Sequence, residues 1–311
     1  SIGLDFNKTN NTIGMVGRTS STNFPVSAGV YQSTYQGGTM DGFAVLFNNA
    51  TYQRVAATFI GTSGNDDAFK VAFDCGNNMF VSGTTTGSFP VTNTAAQGMV
   101  SNGPVYIIKL NQNLTSSIAS TRTATSSALP TAMMVDICGN VLVATIRSSA
   151  QTGMPLTPDA FDVTPRSFYF AGFKPNFQGL SFGSYYGNTG EHFHTGMSRM
   201  DPKGVVYQSV CATTNTFPTT PGSWSPNKQN AGANDLITFK FDFEVINLEA
   251  TTESGYAGYG NLPHAVRGCK SAFIHYKRGG DTTIPMVLRF NIPQAGPSIG
   301  INGTDYQYVY D

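Results

Sequence analysis

Nucleophilic hydrolysis needs a serine or cysteine, a base within hydrogen-bond reach and an acid that orients the base. The chain has 311 residues and four histidines, His192, His194, His264 and His275, and no Gly-x-Ser-x-Gly elbow between a strand and a helix. His192 and His194 are two apart, so an extended strand places both on one face and Glu191 on the other. Zinc would need a further ligand, and none stands at a recognisable spacing. The pair therefore reads as a surface or inter-strand feature. Asp66 and Asp67 follow Gly64-Asn65 in an acidic turn of the kind that binds extracellular calcium. The competing role for these carboxylates is to cap the turn through its own backbone. Asp305 would join a calcium site only if the remainder of a sandwich domain supplied further ligands. The 18 acids scatter among turns, with no pair legible for glycoside hydrolysis. No catalytic residue is assigned, and calcium at Asp66 and Asp67 is the only cofactor these patterns raise.

These residues must be positioned by strands. Charged residues make up 12% of the chain, and 18 basic balance 18 acidic side chains. A neutral chain offers little counterion release, so a nucleic-acid partner is excluded. No run approaches the apolar length of a membrane-spanning helix. Helical periodicity is missing, whereas short β-rich runs recur: Met79-Phe80-Val81, Val105 to Ile108, Val141-Leu142-Val143 and Leu236 to Phe239.

The runs belong to a repeat. Asp74 with Gly76, Asp136 with Gly139 and Asp201 with Gly204 each form a turn that leads into a strand, and the glycines lie 63 and 65 residues apart. Asp5-Phe6-Asn7 reads as a degenerate first copy. A second landmark runs in step: Phe24-Pro25, Phe89-Pro90, Met154-Pro155 and Phe217-Pro218, at spacings of 65, 65 and 63. A third is the apolar run that begins at Gly42, Val105, Phe168 and Leu236. Each copy reads as four antiparallel strands, the unit of a β-propeller blade. The turn glycines are expected to supply positive φ. Phe24, Phe89 and Phe217, with Pro25, Pro90 and Pro218, are expected to anchor the long loop that follows the second strand, and Trp224 to pack within the last of these loops.

Gly61 to Asp67, the Cys-Gly-Asn steps at Cys75 and Cys138 and the Phe-Pro-Val steps at Phe24 and Phe89 resemble the SBBP-type β-propeller repeats of secreted bacterial proteins. The stretch from Tyr185 to Glu244 is similar to the last such repeat of large Bacteroidetes surface proteins. The resemblance implies a propeller over residues 1–246 in a secreted, cell-surface protein of adhesin or gliding-motility type, exported by a type IX-like system. Residues 247–263 are polar and Gly-rich and read as a linker. Residues 264–311, with Asn302-Gly303-Thr304-Asp305-Tyr306, resemble the first half of a Calx-β-like sandwich. The chain is thus expected to be an internal piece of a longer one.

The expected function is a non-catalytic propeller segment. Its partners would be other domains of the same longer chain, secretion-system or cell-surface proteins, or surface glycans, with no membrane insertion. The alternative is a carbohydrate- or polymer-active extracellular enzyme, or a glycan-binding module, that uses the propeller face. Cys75 and Cys138 occupy equivalent turns, where neighbouring blades hold Cα atoms too far apart for a disulfide. The pairing of Cys211 and Cys269 is left open.

Overall fold

The computed structural model describes residues 3–92, 103–123, 127–136, 139–192, 198–201, 204–212, 216–229 and 234–243. It further describes the backbone strands at 247–251, 266–267, 286–291 and 299–301. The chain is all-β and its strands pair antiparallel. The first sheet is β1 (Gly3–Asn7), β2 (Thr12–Thr19), β3 (Asp41–Asn48) and β4 (Arg54–Ile60), paired in chain order. The second is β5 (Asp66–Phe73), β6 (Met79–Thr85), β7 (Val105–Leu110) and β8 (Ser117–Thr123). The third is β9 (Leu129–Val135), β10 (Val141–Ile146), β11 (Phe168–Phe173) and β12 (Leu180–Tyr186).

The fourth sheet departs from this plan. Its central β15 (Val205–Ala212) is flanked on one side by β13 (Glu191–His192) and β14 (Ser198–Met200), which share one strand position, and on the other by β16 (Asp235–Asp242). A fifth sheet joins β17 (Asn247–Thr251), β18 (Val266–Arg267), β19 (Met286–Asn291) and β20 (Ile299–Ile301), with β17 between β18 and β19. β17 falls in the stretch read as a linker, and its partners come from the C-terminal stretch.

The apolar runs have a physical reason. An antiparallel sheet with one wet face alternates polar and apolar residues, whereas a sheet covered on both faces reads as a continuous apolar run. Val105, Tyr106, Ile107 and Ile108 are all fully buried. Tyr106 and Ile108 pack with Val16, Ala44 and Leu46 of the first sheet. Val105 and Ile107 pack with Val141 and Val143 of the third. Phe168 and Phe170 join Val206, Val210 and Phe241 between the third and fourth sheets. The inner strands also meet in succession, β1 with β5, β5 with β9 and β9 with β14.

The Asp turns share one geometry. The N–H of Asp74, Asp136 and Asp201 donates to the carbonyl four residues on, at 3.2, 2.9 and 2.9 Å. Each carboxylate accepts the N–H of that same residue, Asn78, Asn140 or Val205, at 2.8, 2.8 and 3.0 Å. The positive φ falls at the residue before it: 79° at Gly139, 82° at Gly204 and 64° at Asn77. Gly76 is therefore not the counterpart of Gly139 and Gly204. Asn77 is, because asparagine tolerates the left-handed region. The three turns are equal in length once the Asp residues are aligned. In the first sheet Asp5 lies inside β1, and the turn follows it with Asn11 at φ 56°.

The long loops are seated on the third strand and clamped to the fourth strand of their own sheet. Phe24 stacks on Phe43 at 4.8 Å and Phe89 on Tyr106 at 4.1 Å. The carbonyl of Pro25 accepts from Arg54, that of Pro90 from Ser120 Oγ at 2.8 Å and that of Pro155 from Tyr169 Oη at 2.6 Å. Two residues further on, Ser27, Thr92 and Thr157 donate their N–H groups to the carbonyls of Ala57, Ser120 and Gly183 at 2.9, 3.0 and 3.2 Å. Their hydroxyls accept the N–H groups of the same three residues at 3.1, 2.9 and 3.0 Å. Three copies of a two-bond clamp follow from the 65-residue period.

Candidate functional site

Strands β1, β5, β9 and β14 line an open cavity of about 620 Å³. The first three sheets contribute their first strands, and the fourth contributes β14, which shares the first strand position with β13. The walls carry Leu4, Met133, Met134 and Met200 beside four charged residues, Asp5, Lys70, Arg199 and Asp201. A β-bulge in β5 between Ala68 and Lys70 resets the pleat there. The equivalent bulge in β9 falls at Thr131, between Pro130 and Ala132. Pro130 is tolerated because β9 is an edge strand.

The four charged groups differ in what they are free to do. Asp201 is committed to its turn: its carboxylate accepts Val205 N–H at 3.0 Å and Tyr207 Oη at 3.2 Å. Arg199 Nη1 donates to the Ser198 carbonyl at 2.9 Å. Burial pushes the Asp5 carboxyl up to about 6, against the N–H groups of Phe6 and Phe73 and the charge of Lys8. Burial lowers the Lys70 ammonium to about 8, and the nearby Arg199 charge adds to the shift. The Lys70 side chain makes no hydrogen bond or ion pair among the described residues. A lone ammonium with a guanidinium nearby, on methionine- and leucine-lined walls, suits a ligand that carries an anionic group and an apolar body.

Sequence patterns mark Asp5 only as part of a degenerate turn copy and do not single out Lys70 or Arg199. Their common signal is position, on the strand that precedes each Asp turn. The patterns did single out Asp66 and Asp67, and the strand separates them. Asp66 is fully buried and accepts Thr62 N–H and Oγ1 at 2.7 and 2.8 Å, while Asp67 pairs with Arg18 at 3.1 Å. Asp66 thus takes the turn-capping role. Burial raises its carboxyl and that of Asp41, and Asp41 Oδ1, Asp66 Oδ1 and Tyr106 Oη have no hydrogen-bond partner. Among the described residues no group of three His, Cys, Asp or Glu is placed to hold a metal ion.

Phe89 and Phe217 are buried and Phe24 is half-buried, whereas Trp224 is fully exposed. It lines a second cavity of about 530 Å³ beside β16. An indole in water packs nothing, so Trp224 is not an anchor of its loop. Cys75 and Cys211 are free thiols. Cys138, Cys269, His194, His264, His275 and Asp305 lie outside the described residues, as do the side chains of Glu191 and His192. Among the described residues no helix is long and apolar enough to cross a membrane. The chain matches no protein-family model and no curated protein.

Proposed function

We propose that the first four sheets are successive blades of a β-propeller, and that the chain is a non-catalytic binding module of a secreted, cell-surface protein. The observation that carries this reading is the cavity lined by β1, β5, β9 and β14, since a propeller turns its innermost strands toward a shared axis. Within it Asp201 is held by its own turn, which leaves Asp5 without a free carboxylate opposite to complete an acid–base pair. Lys70 is the group left to meet a ligand, so the module binds an anionic surface polymer and does not cleave it. The adhesin or gliding-motility setting, with type IX-like export, rests on the motif resemblance to SBBP-type repeats.

The test is to incubate the chain with acidic and neutral polysaccharides and measure both retention and product release. Retention of acidic polymers, weakened by Lys70→Gln, with no product, is expected. Turnover abolished by a single substitution in the cavity would replace this reading with an enzyme.

A further inference from the structure

Three buried oxygens stand without a partner where the first two sheets meet. Asp41 opens β3, Asp66 opens β5 and Tyr106 lies on β7, and all three residues are fully buried. One oxygen of each carboxylate is committed. Asp41 Oδ2 accepts Gln36 N–H at 2.5 Å, and Asp66 Oδ2 accepts Thr62 N–H and Oγ1 at 2.7 and 2.8 Å. Asp41 Oδ1, Asp66 Oδ1 and Tyr106 Oη have no hydrogen-bond partner among the described residues. The backbone draws them together. Asp66 N–H donates to the carbonyl of Met40, the residue before Asp41, at 2.9 Å. A Cβ on Gly61 would stand 2.7 Å from Asp41 Oδ1, and the next residue, Thr62, holds Asp66. A Cβ on Gly42, the residue after Asp41, would stand 3.2 Å from Tyr106 Oη. The Phe89 ring stacks on Tyr106 at 4.1 Å and fixes the phenol in place. Burial pushes that phenol well up, and the charges of Asp66 and Asp41 add to the shift. Burial likewise raises the Asp41 carboxyl, and the Asp66 charge adds to it.

We infer that Asp41 Oδ1, Asp66 Oδ1 and Tyr106 Oη bind one sodium ion, which ties the first sheet to the second. A buried polar atom is satisfied by a protein partner, a water or an ion, and a buried charge left alone is costly. Carboxylate and hydroxyl oxygens are hard donors that suit hard cations. The charge balance selects a monovalent one. Arg122 sits opposite Tyr106 across β7 and β8, is buried, and the Asp66 charge acts on it. Its Nε donates to the Gly103 carbonyl. Asp67 is balanced by Arg18 at 3.1 Å. Two carboxylates and one guanidinium leave a single negative charge, which sodium cancels and calcium would overshoot. The site shares no residue with the cavity that holds Lys70.

Thermal melting of the whole chain at constant ionic strength, with sodium chloride replaced stepwise by choline chloride, tests this. Choline is too large to enter the site. An ion bound by the folded chain alone stabilises it by mass action, so the melting temperature should rise steadily with sodium. Asp41→Asn keeps an acceptor for Gln36 N–H and loses the charge, so it should weaken sodium binding about tenfold or more. Tyr106→Phe keeps the stack on Phe89 and removes one ligand, so it should weaken binding about three- to tenfold. Sodium NMR relaxation on the wild type reads the bound ion directly, whether or not the variants fold. Identical melting in sodium and choline, equal sodium dependence in the wild type and Asp41→Asn, or no excess sodium relaxation would overturn the inference, because water or a shared proton would then fill the site. So would full recovery of the choline sample by micromolar calcium, because the occupant would then be divalent.

Discussion

Thr157 holds both main-chain polar groups of Gly183: its N–H donates to the Gly183 carbonyl at 3.2 Å, and its hydroxyl accepts the Gly183 N–H at 3.0 Å. A Cβ on Gly183 would stand 2.5 Å from the Pro155 carbonyl oxygen. Gly183→Ala is therefore expected to destabilise the chain by about 2–3 kcal/mol through overpacking. Thr157→Val keeps the shape but leaves the Gly183 N–H unpaired, at about 1–2 kcal/mol. Urea denaturation measures both, and a Gly183→Ala protein as stable as the wild type would remove the clamp from this account.

The Asp turns separate two glycines that look alike in the sequence. Gly139 has φ 79°, and Gly76 is not among the positive-φ residues. Gly139→Ala should lower stability by about 1 kcal/mol or more. A Cβ on Gly76 would meet the Asn78 side-chain amide at 3.0 Å, a flexible end that yields, so Gly76→Ala should stay within about 0.5 kcal/mol. Thermal melts of the two variants should differ in this order. Equal losses would show that the turns are not built alike.

The repeat was legible because three landmarks recur with one period, and each has a physical cause. The Asp carboxylate closes a turn, the Phe-Pro or Met-Pro pair seats a loop, and the apolar run is buried on both faces in the first three sheets, while in β16 it alternates with exposed residues. What the chain hid was which residue takes the strained conformation. Glycine at 76 is the natural candidate, yet the backbone places the left-handed residue at Asn77, where the side chain tolerates it. Lys70 was equally hidden, because a lone lysine in a strand looks like a wet edge. Only the bulge at Phe69 and the arrival of β14 from more than a hundred residues away place it in a cavity. Trp224 misled in the other direction, since a tryptophan among prolines reads as packing.

Loop anchoring can be checked by a pair of aromatics. Phe89 is buried and stacks on Tyr106, so Phe89→Ala should cost about 3–4 kcal/mol. Trp224 is fully exposed, so Trp224→Ala should leave stability within about 0.5 kcal/mol. Chemical denaturation midpoints of the two variants decide the matter. A large loss at Trp224 would mean that its ring is covered in solution.

Asp5 gives the cavity a pH signature. Its carboxyl is raised from 3.8 to about 6, so between those values the folded chain keeps a proton that the unfolded chain has released. Its contribution is therefore fully present below about pH 4 and is lost as pH rises through about 6. Asp5→Asn should be stabilised relative to the wild type at pH 7, by about 1–2 kcal/mol after solvent screening, and much less at pH 4. Lys70 runs the other way: its folded value of about 8 lies below 10.5, so stability rises with pH between the two, and Lys70→Met should flatten that slope. Denaturation series across pH 4–10 read both effects, and parallel wild-type and variant curves would contradict the burial of these two groups.

Calorimetric titration of the whole chain with a uronate oligosaccharide, repeated on Lys70→Gln, tests the proposed anion binding at the Lys70 cavity most directly. Saturable binding at pH 7 is expected, falling as pH rises through about 8 where Lys70 loses its charge, and weakened at least tenfold by Lys70→Gln. No oligosaccharide should be cleaved in the cell. Binding that is indifferent to Lys70 and to pH would contradict the account, as would steady product release.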